Sequence, residues 1–145
     1  MKEVMDVVVK TVNKIRANLF SHRQFKLLLT ELDTEYDDVL LYSRIRWLSR
    51  GKVLERFFYI IQEIDVFFIQ KCEQIIVLSD PKWINDLAFL VDITRYLNEL
   101  NTKLQGKDQL ITDLFSHINA FKVKLLLFKI ISKMKTLHTS IPSKL

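Results

Sequence analysis

Met5, Val8, Val12, Ile15 and Leu19 recur at spacings of three and four, which places them on one stripe of a helix from about residue 2 to 19. Ser21, with Gln24 three positions on, has the arrangement of a capping box, so a second helix is predicted over Phe25, Leu28, Leu29 and Leu32. Asp33 to Asp38 is a polar connection. From Val39 to Trp47 the odd positions are Val39, Leu41, Ser43, Ile45 and Trp47, and this period of two, broken only at Ser43, predicts a short strand over 39–47.

Ser49 stands where it can cap the next helix. Its Val53, Leu54, Phe57, Phe58, Ile60, Ile61, Ile64, Phe67 and Phe68 cover so much of the circumference that the helix is expected to be buried on more than one side, at the centre of the core. Beyond Cys72, Ile75 to Leu78 either finishes that helix or forms a short extended piece, and Asp80 with Pro81 then supplies a cap and a preset first turn. The long helix that follows carries Trp83, Leu90, Leu97 and Leu104 at seven-residue spacing, with Ile93 and Leu100 between them. Leu87, Ala88 and Val91 widen the stripe, which favours a bundle over a two-stranded coiled coil.

Gly106 ends that helix and Asp108 can cap the last one, whose Leu110, Leu114, Phe121, Leu125 and Phe128 share a face until Pro142. The connection is short, so the two long helices are predicted to run antiparallel. Leu126, Leu127, Ile130 and Ile131 make the final helix apolar on a second side, leaving surface for a protein partner, a missing domain or self-association to cover. The expected fold is mainly α, a helical bundle with one short strand, as a single domain over residues 1–140 with a tail at 141–145.

Composition supports the helices. Hydrophobic residues make up 49% of the chain, but there are only two Gly and two Pro, too few for the turns of a many-stranded sheet. Cys72 is the single cysteine, so no intrachain disulfide can form; the expected setting is reducing, nuclear or cytoplasmic, with Cys72 an inert buried thiol. Lys2, Glu3, Asp6 and Lys10 interrupt the apolar residues of the amino terminus, leaving no secretory core, and no uncharged stretch is long enough to span a bilayer. Net charge is +5, unevenly spread: sixteen cations stand against seventeen acids through Asp113, and six lysines follow with no acid. That basic end is either a solvated face or an attractor of phosphate or anionic lipid.

Catalytic and metal-binding patterns are sparse. His22, His117 and His138 lie far apart, with no pair at metal-ligand spacing. Glycines occur only at 51 and 106, which excludes a glycine-rich phosphate loop. Glu63 with Asp65, and Asp86 with Asp92, do not share a helical face squarely; Asp92, among apolar neighbours, needs Arg95 or Lys103 as a partner. The expectation is no catalytic residue, no metal, no cofactor and no small-molecule substrate. The densest local signal is the segment 44–56, where Arg44, Arg46, Arg50, Lys52 and Arg56 meet one acid, with Trp47 among them. Cations interleaved with an aromatic suit a nucleic-acid backbone with a base stacked on the ring. The plainer alternative, favoured on physical grounds alone, has Trp47 anchoring the core and the cations facing water.

Four longer words carry a resemblance: HRQFKLLLTELDTEYDDVL at 22–40, RWLSRGKVLERFF at 46–58, LSDPKWINDLAFLVDIT at 78–94 and LNELNTKLQGKDQLITDLFSHINAFKVKL at 97–125. With them the chain resembles transposases of the hAT superfamily, especially the domesticated descendants found in BED zinc-finger, SCAN-domain and general transcription factor II-I repeat-domain proteins. The likeness covers about residues 3–125 and then fades. It implies part of an RNase H-like domain split by a helical insertion, where two Asp before the insertion and one Glu after it hold the catalytic metals. On that likeness the chain lies between the second Asp and the Glu, and none of the three has a counterpart in it. The family's Arg-Trp motif is matched by Arg46 and Trp47; in active members that Trp is associated with the DNA hairpin or flipped base near the cut. The resemblance therefore implies a non-catalytic piece working through protein contacts, or a retained DNA-binding module using Arg44, Arg46, Trp47, Arg50, Lys52, Arg56 and the terminal lysines.

Overall fold

The computed structural model describes residues 2–41, 47–106 and 110–139, apart from the side chains of 47–49 and 132–139. The described residues form α1 (Lys2–Ile15), α2 (Leu19–Glu31), α3 (Trp47–Tyr59), α4 (Ile61–Gln70), a 3₁₀ turn (Ile76–Ser79), α5 (Pro81–Leu104) and α6 (Ile111–Thr139). The mainly helical expectation holds. None of the described helices is long and apolar enough to cross a membrane. Contacts divide the chain into two compact units, one up to Arg95 and one from Tyr96 onward.

The first unit carries the core. α1 buries Val8, Val12 and Ile15 of the stripe expected from spacing, but at its start Val4 is buried and the expected Met5 only half-buried. The helix stops at Ile15 rather than near 19, because Asn18 turns to extended backbone and its Oδ1 accepts the Ser21 N–H at 2.6 Å. Asn18, not Ser21, therefore caps α2. Leu19 becomes the first residue of α2 and is 79% exposed, so it leaves the stripe to which its spacing assigned it.

The long helix expected between Ser49 and Cys72 is two helices. Ile60, buried, breaks it with φ −109° and ψ 24°, although its N–H still reaches the Arg56 carbonyl at 3.2 Å. The turn lets both apolar segments address one core: Val53, Leu54 and Phe57 from α3, and Ile64, Phe67 and Phe68 from α4. The rings meet edge to face, Phe25 with Phe67 at 5.1 Å, Phe67 with Phe68 at 5.5 Å and Phe57 with Trp83 at 6.5 Å. This segment is the centre of the core, as its composition predicts. Ser49 lies within α3 rather than before it.

Both α2 and α4 end in the same motif without a glycine. Asp33 (φ 51°) and Cys72 (φ 55°) occupy the left-handed position. Around Cys72, its own N–H bonds the Ile69 carbonyl and the Glu73 N–H bonds the Phe68 carbonyl, each at 2.9 Å, which is the Schellman pattern. Cys72 is consequently exposed, not buried, because the last carbonyls of α4 are satisfied by turning the chain outward at this residue.

The strand expected over 39–47 is not seen among the described residues. Val39 to Leu41 have no regular structure, Trp47 opens α3, and residues 42–46 lie outside the described residues. At Val39 the N–H is taken by the Asp38 carboxylate at 2.7 Å and the carbonyl accepts from Arg16 at 3.1 Å.

α5 starts as predicted, with Asp80 Oδ1 accepting the Lys82 N–H at 3.0 Å and Pro81 as the first helical residue. Its buried residues are Trp83, Leu87, Leu90, Val91 and Thr94, all in the first unit.

In the second unit, the last turns of α5 pack against α6. Tyr96 lies 5.5 Å from Phe128, and the Lys124 Nζ lies 4.3 Å above the Tyr96 ring and 3.8 Å from the Glu99 carboxylate. Lys103 and His117 line the other end of the same shallow groove. The two helical segments are thus antiparallel, as the short connection requires. Asp108, the expected cap of α6, lies outside the described residues. No described side chain of this unit is buried.

Candidate functional site

The best-connected polar group sits in the segment between α2 and α3. Asp38 accepts from Arg16 Nη1 at 3.1 Å through Oδ2 and meets His22 Nε2 at 2.8 Å with both oxygens; its Oδ1 also holds the Val39 N–H. Arg16 donates from the same Nη1 to the Val39 carbonyl. From the other side Arg56 Nη1 donates to the Asp38 carbonyl at 3.1 Å, and its guanidinium lies 4.1 Å from the centroid of Tyr36, whose ring is 5.8 Å from that of Tyr59. Thr34 adds a hydroxyl contact to the Tyr36 carbonyl at 2.7 Å. Arg16 from beside α1, His22 from α2 and Arg56 from α3 therefore grip one irregular segment while Val39 is buried in the core at 2% exposure. The side chains of Arg16, His22 and Asp38 are 30%, 20% and 22% exposed, dry enough for charge-assisted bonds to matter.

This clasp settles the position of one predicted nucleic-acid contact. Arg56 spends its guanidinium on Tyr36 and the Asp38 carbonyl, inside the fold. Lys52 is exposed, Arg50 is half-buried with contacts of its own, and Trp47 opens α3. Arg44 and Arg46 lie outside the described residues, as does the Trp47 side chain. Of the six, Lys52 is the one that the described geometry presents openly to solvent. Sequence reasoning missed Asp38, His22 and Arg16: no spacing rule joins residues 16 and 22 apart, and 33–38 looked merely polar. The available signal was Asp38 standing directly before an apolar residue at the end of an acidic run.

A second group of contacts pins the end of α4. Lys14 Nζ lies 2.8 Å from Glu73 and 5.3 Å from the Phe68 centroid, while Lys71 Nζ donates to Ser21 Oγ at 2.8 Å and sits 4.7 Å from the Phe67 centroid. The hydrogen bond and charge of Lys14 hold the Glu73 carboxyl below its ordinary range, with Lys71 adding a smaller push and burial opposing both. On α5 Arg95 reaches Asp92 at 2.9 Å; Arg95 rather than Lys103 is the partner, and Asp92, 44% exposed, is less enclosed than its neighbours suggested. Among the described residues no three His, Cys, Asp or Glu side chains are grouped to hold a metal ion.

By fold this is a helical domain, and the polar groups that meet in it hold segments of the chain to one another. It belongs to the FAM200/GTF2IRD2 helical domain family, whose model matches residues 1–133. The match runs past residue 125, where the longer words fade. Among curated proteins it is similar to general transcription factor II-I repeat domain-containing protein 2 of Bos taurus, 46% identical over 129 residues, and of Mus musculus, 45% identical over 129 residues. Each match takes in 89% of this chain and 14% of the relative, so the chain spans about one seventh of their length. No solved structure matches it.

Proposed function

We propose that the chain is a non-catalytic remnant of a hAT-type transposase-like protein, drawn from the helical insertion of its RNase H-like region, and that it acts through protein–protein contacts. The second unit carries this reading: Ile111, Phe115, Leu126, Leu127 and Ile130 of α6 are 54–85% exposed, and no described side chain there is buried. A helix apolar on more than one side draws its stability from what surrounds it, not from propensity alone. Membership of the FAM200/GTF2IRD2 family and the transposase-like words support the parentage. The three carboxylates that the resemblance assigns to strand transfer have no counterpart in these residues. Exposed Cys72, a free thiol, suits a nuclear or cytoplasmic setting.

A photo-activated cross-linker placed at Leu126 in cells tests the reading. Protein adducts are expected there; adducts to nucleic acid alone would refute contact through protein. Incubation of the purified chain with hairpin and duplex DNA and a divalent cation should leave the strands intact. Metal-dependent cleavage above that of an Arg46→Ala, Trp47→Ala double variant would overturn the non-catalytic assignment.

A second reading, nucleic-acid binding through the basic segment 44–56 and the terminal lysines, is favoured by exposed Lys52 and by the absence of any acid after Asp113. Its signature is a DNA mobility shift that weakens steeply between roughly 50 and 200 mM salt. No shift of single-stranded, hairpin or duplex DNA at low salt eliminates it.

A further inference from the structure

α6 is apolar, yet it lacks a single apolar side. Leu114, His117, Phe121 and Phe128 are half-buried along one stripe. The stripe beside it, at helical spacings of four and three, is Ile111, Phe115, Ile118, Lys122, Leu125 and Lys129, and every one of these is exposed. Its two lysines stand one heptad apart. They differ from Lys124, which is occupied by Glu99 and Tyr96: among the described residues no carboxylate pairs with Lys122 or Lys129. The face therefore alternates apolar contact with regularly spaced positive charge.

From this face we infer a docking site for one amphipathic helix of a partner protein, with an apolar seam flanked by carboxylates at heptad spacing. The inference rests on the protein-contact reading above and names the partner's chemistry. Charge decides between the occupants. The same helix from a second copy would offer the two lysines a single carboxylate, because Asp113 is the sole acid of α6, against several further lysines. A bilayer surface selects a helix with one apolar and one polar side. Here Val123, Leu127 and Ile130 continue the apolar surface round the helix, the pattern of one enclosed by other helices. An acidic helix covers Leu125 between the two lysines with its apolar seam, and the carboxylates that flank that seam give each lysine a partner.

The test uses the full chain and a synthetic amphipathic helix with leucines at its a and d positions and glutamates at e and g, followed by fluorescence anisotropy. The acidic peptide should bind, and a version with lysines in place of the glutamates should not. Lys122→Glu with Lys129→Glu should weaken the acidic peptide about tenfold and admit the basic one. Both positions are exposed, so the double variant keeps its fold, which circular dichroism checks. Equal binding of the two peptides overturns the inference, as does binding of vesicles rich in phosphatidylserine without binding of either peptide. Sedimentation showing a dimer whose formation blocks the acidic peptide's binding also overturns it. Protein adducts from Leu126 in cells combined with no binding of the acidic peptide would remove this inference and leave the protein-contact reading in place.

Discussion

Replacing Asp38 with alanine removes the one carboxylate on which the segment between α2 and α3 is fastened. Three groups lose the carboxylate at once: the Val39 N–H at 2.7 Å, Arg16 Nη1 at 3.1 Å, which keeps only the Val39 carbonyl, and His22 Nε2 at 2.8 Å. The backbone N–H is worth about 1 kcal/mol on removal of its partner. The two side-chain contacts are neither surface pairs nor fully buried, since their members are 20–30% exposed. Each is therefore discounted toward the surface value, and together they add about 1–2 kcal/mol. The expected loss is about 2–3 kcal/mol for Asp38→Ala. Asp38→Asn keeps an oxygen for Val39 but no charge for Arg16, and should lose about 1–2 kcal/mol. Urea unfolding followed by circular dichroism measures both, provided the denaturant slope is unchanged. A double-mutant cycle with Arg16→Ala should return a coupling of about 1 kcal/mol. If Asp38→Ala stays within about 0.5 kcal/mol of the parent, the segment is held by Val39 burial alone and the clasp has no energetic role.

Cys72 occupies the left-handed cap position where glycine carries no Cβ penalty, so Cys72→Gly should raise stability by about 0.5–1 kcal/mol, read as a higher melting temperature. Because Lys14 depresses the Glu73 carboxyl, the pair stabilises the fold fully above the unfolded value near 4.5, and the gain is lost as pH falls through the lower folded value. Glu73→Gln should therefore melt slightly below the parent near pH 7 and together with it once the pH lies below the lowered folded value; a gap that persists in acid would mean the contact is not the ion pair.

The helices were legible from the periodicity of apolar residues, and their ends were not. Val8 to Ile15 and Trp83 to Val91 bury the stripes that spacing predicts, because each needs only a one-sided environment to satisfy it. The misplaced ends have different causes: Asn18 ended one helix by capping the next through a local side-chain bond, whereas Ile60 bent another so that both halves serve one core. The candidate site divided in the same way. The excess of cations over 44–56 was visible as composition, but the inward turn of Arg56 was not, because the Tyr36 ring and Asp38 carbonyl that hold it lie some twenty residues earlier, beyond any local spacing rule.

The two units also predict opposite responses to one chemical change. Leu29 in α2 is fully enclosed at 0% exposure, and Leu127 in α6 is 54% exposed. Leu→Ala removes the same atoms in each. At Leu29 the loss combines transfer free energy with the cavity left behind, about 2–5 kcal/mol. At Leu127 no cavity forms and water already reaches half the side chain, so the isolated chain should change by less than about 0.5 kcal/mol. If α6 is enclosed by another protein, Leu127→Ala becomes costly only in the assembled state, because burial of that leucine then belongs to the complex and not to the chain. Unfolding of the free chain and protein cross-linking from Leu126 should accordingly respond differently to Leu127→Ala: stability unchanged, adducts reduced. A loss of stability in the free chain as large as that of Leu29→Ala would show that α6 is already covered by this chain's own residues, and the case for an external partner would fail with it.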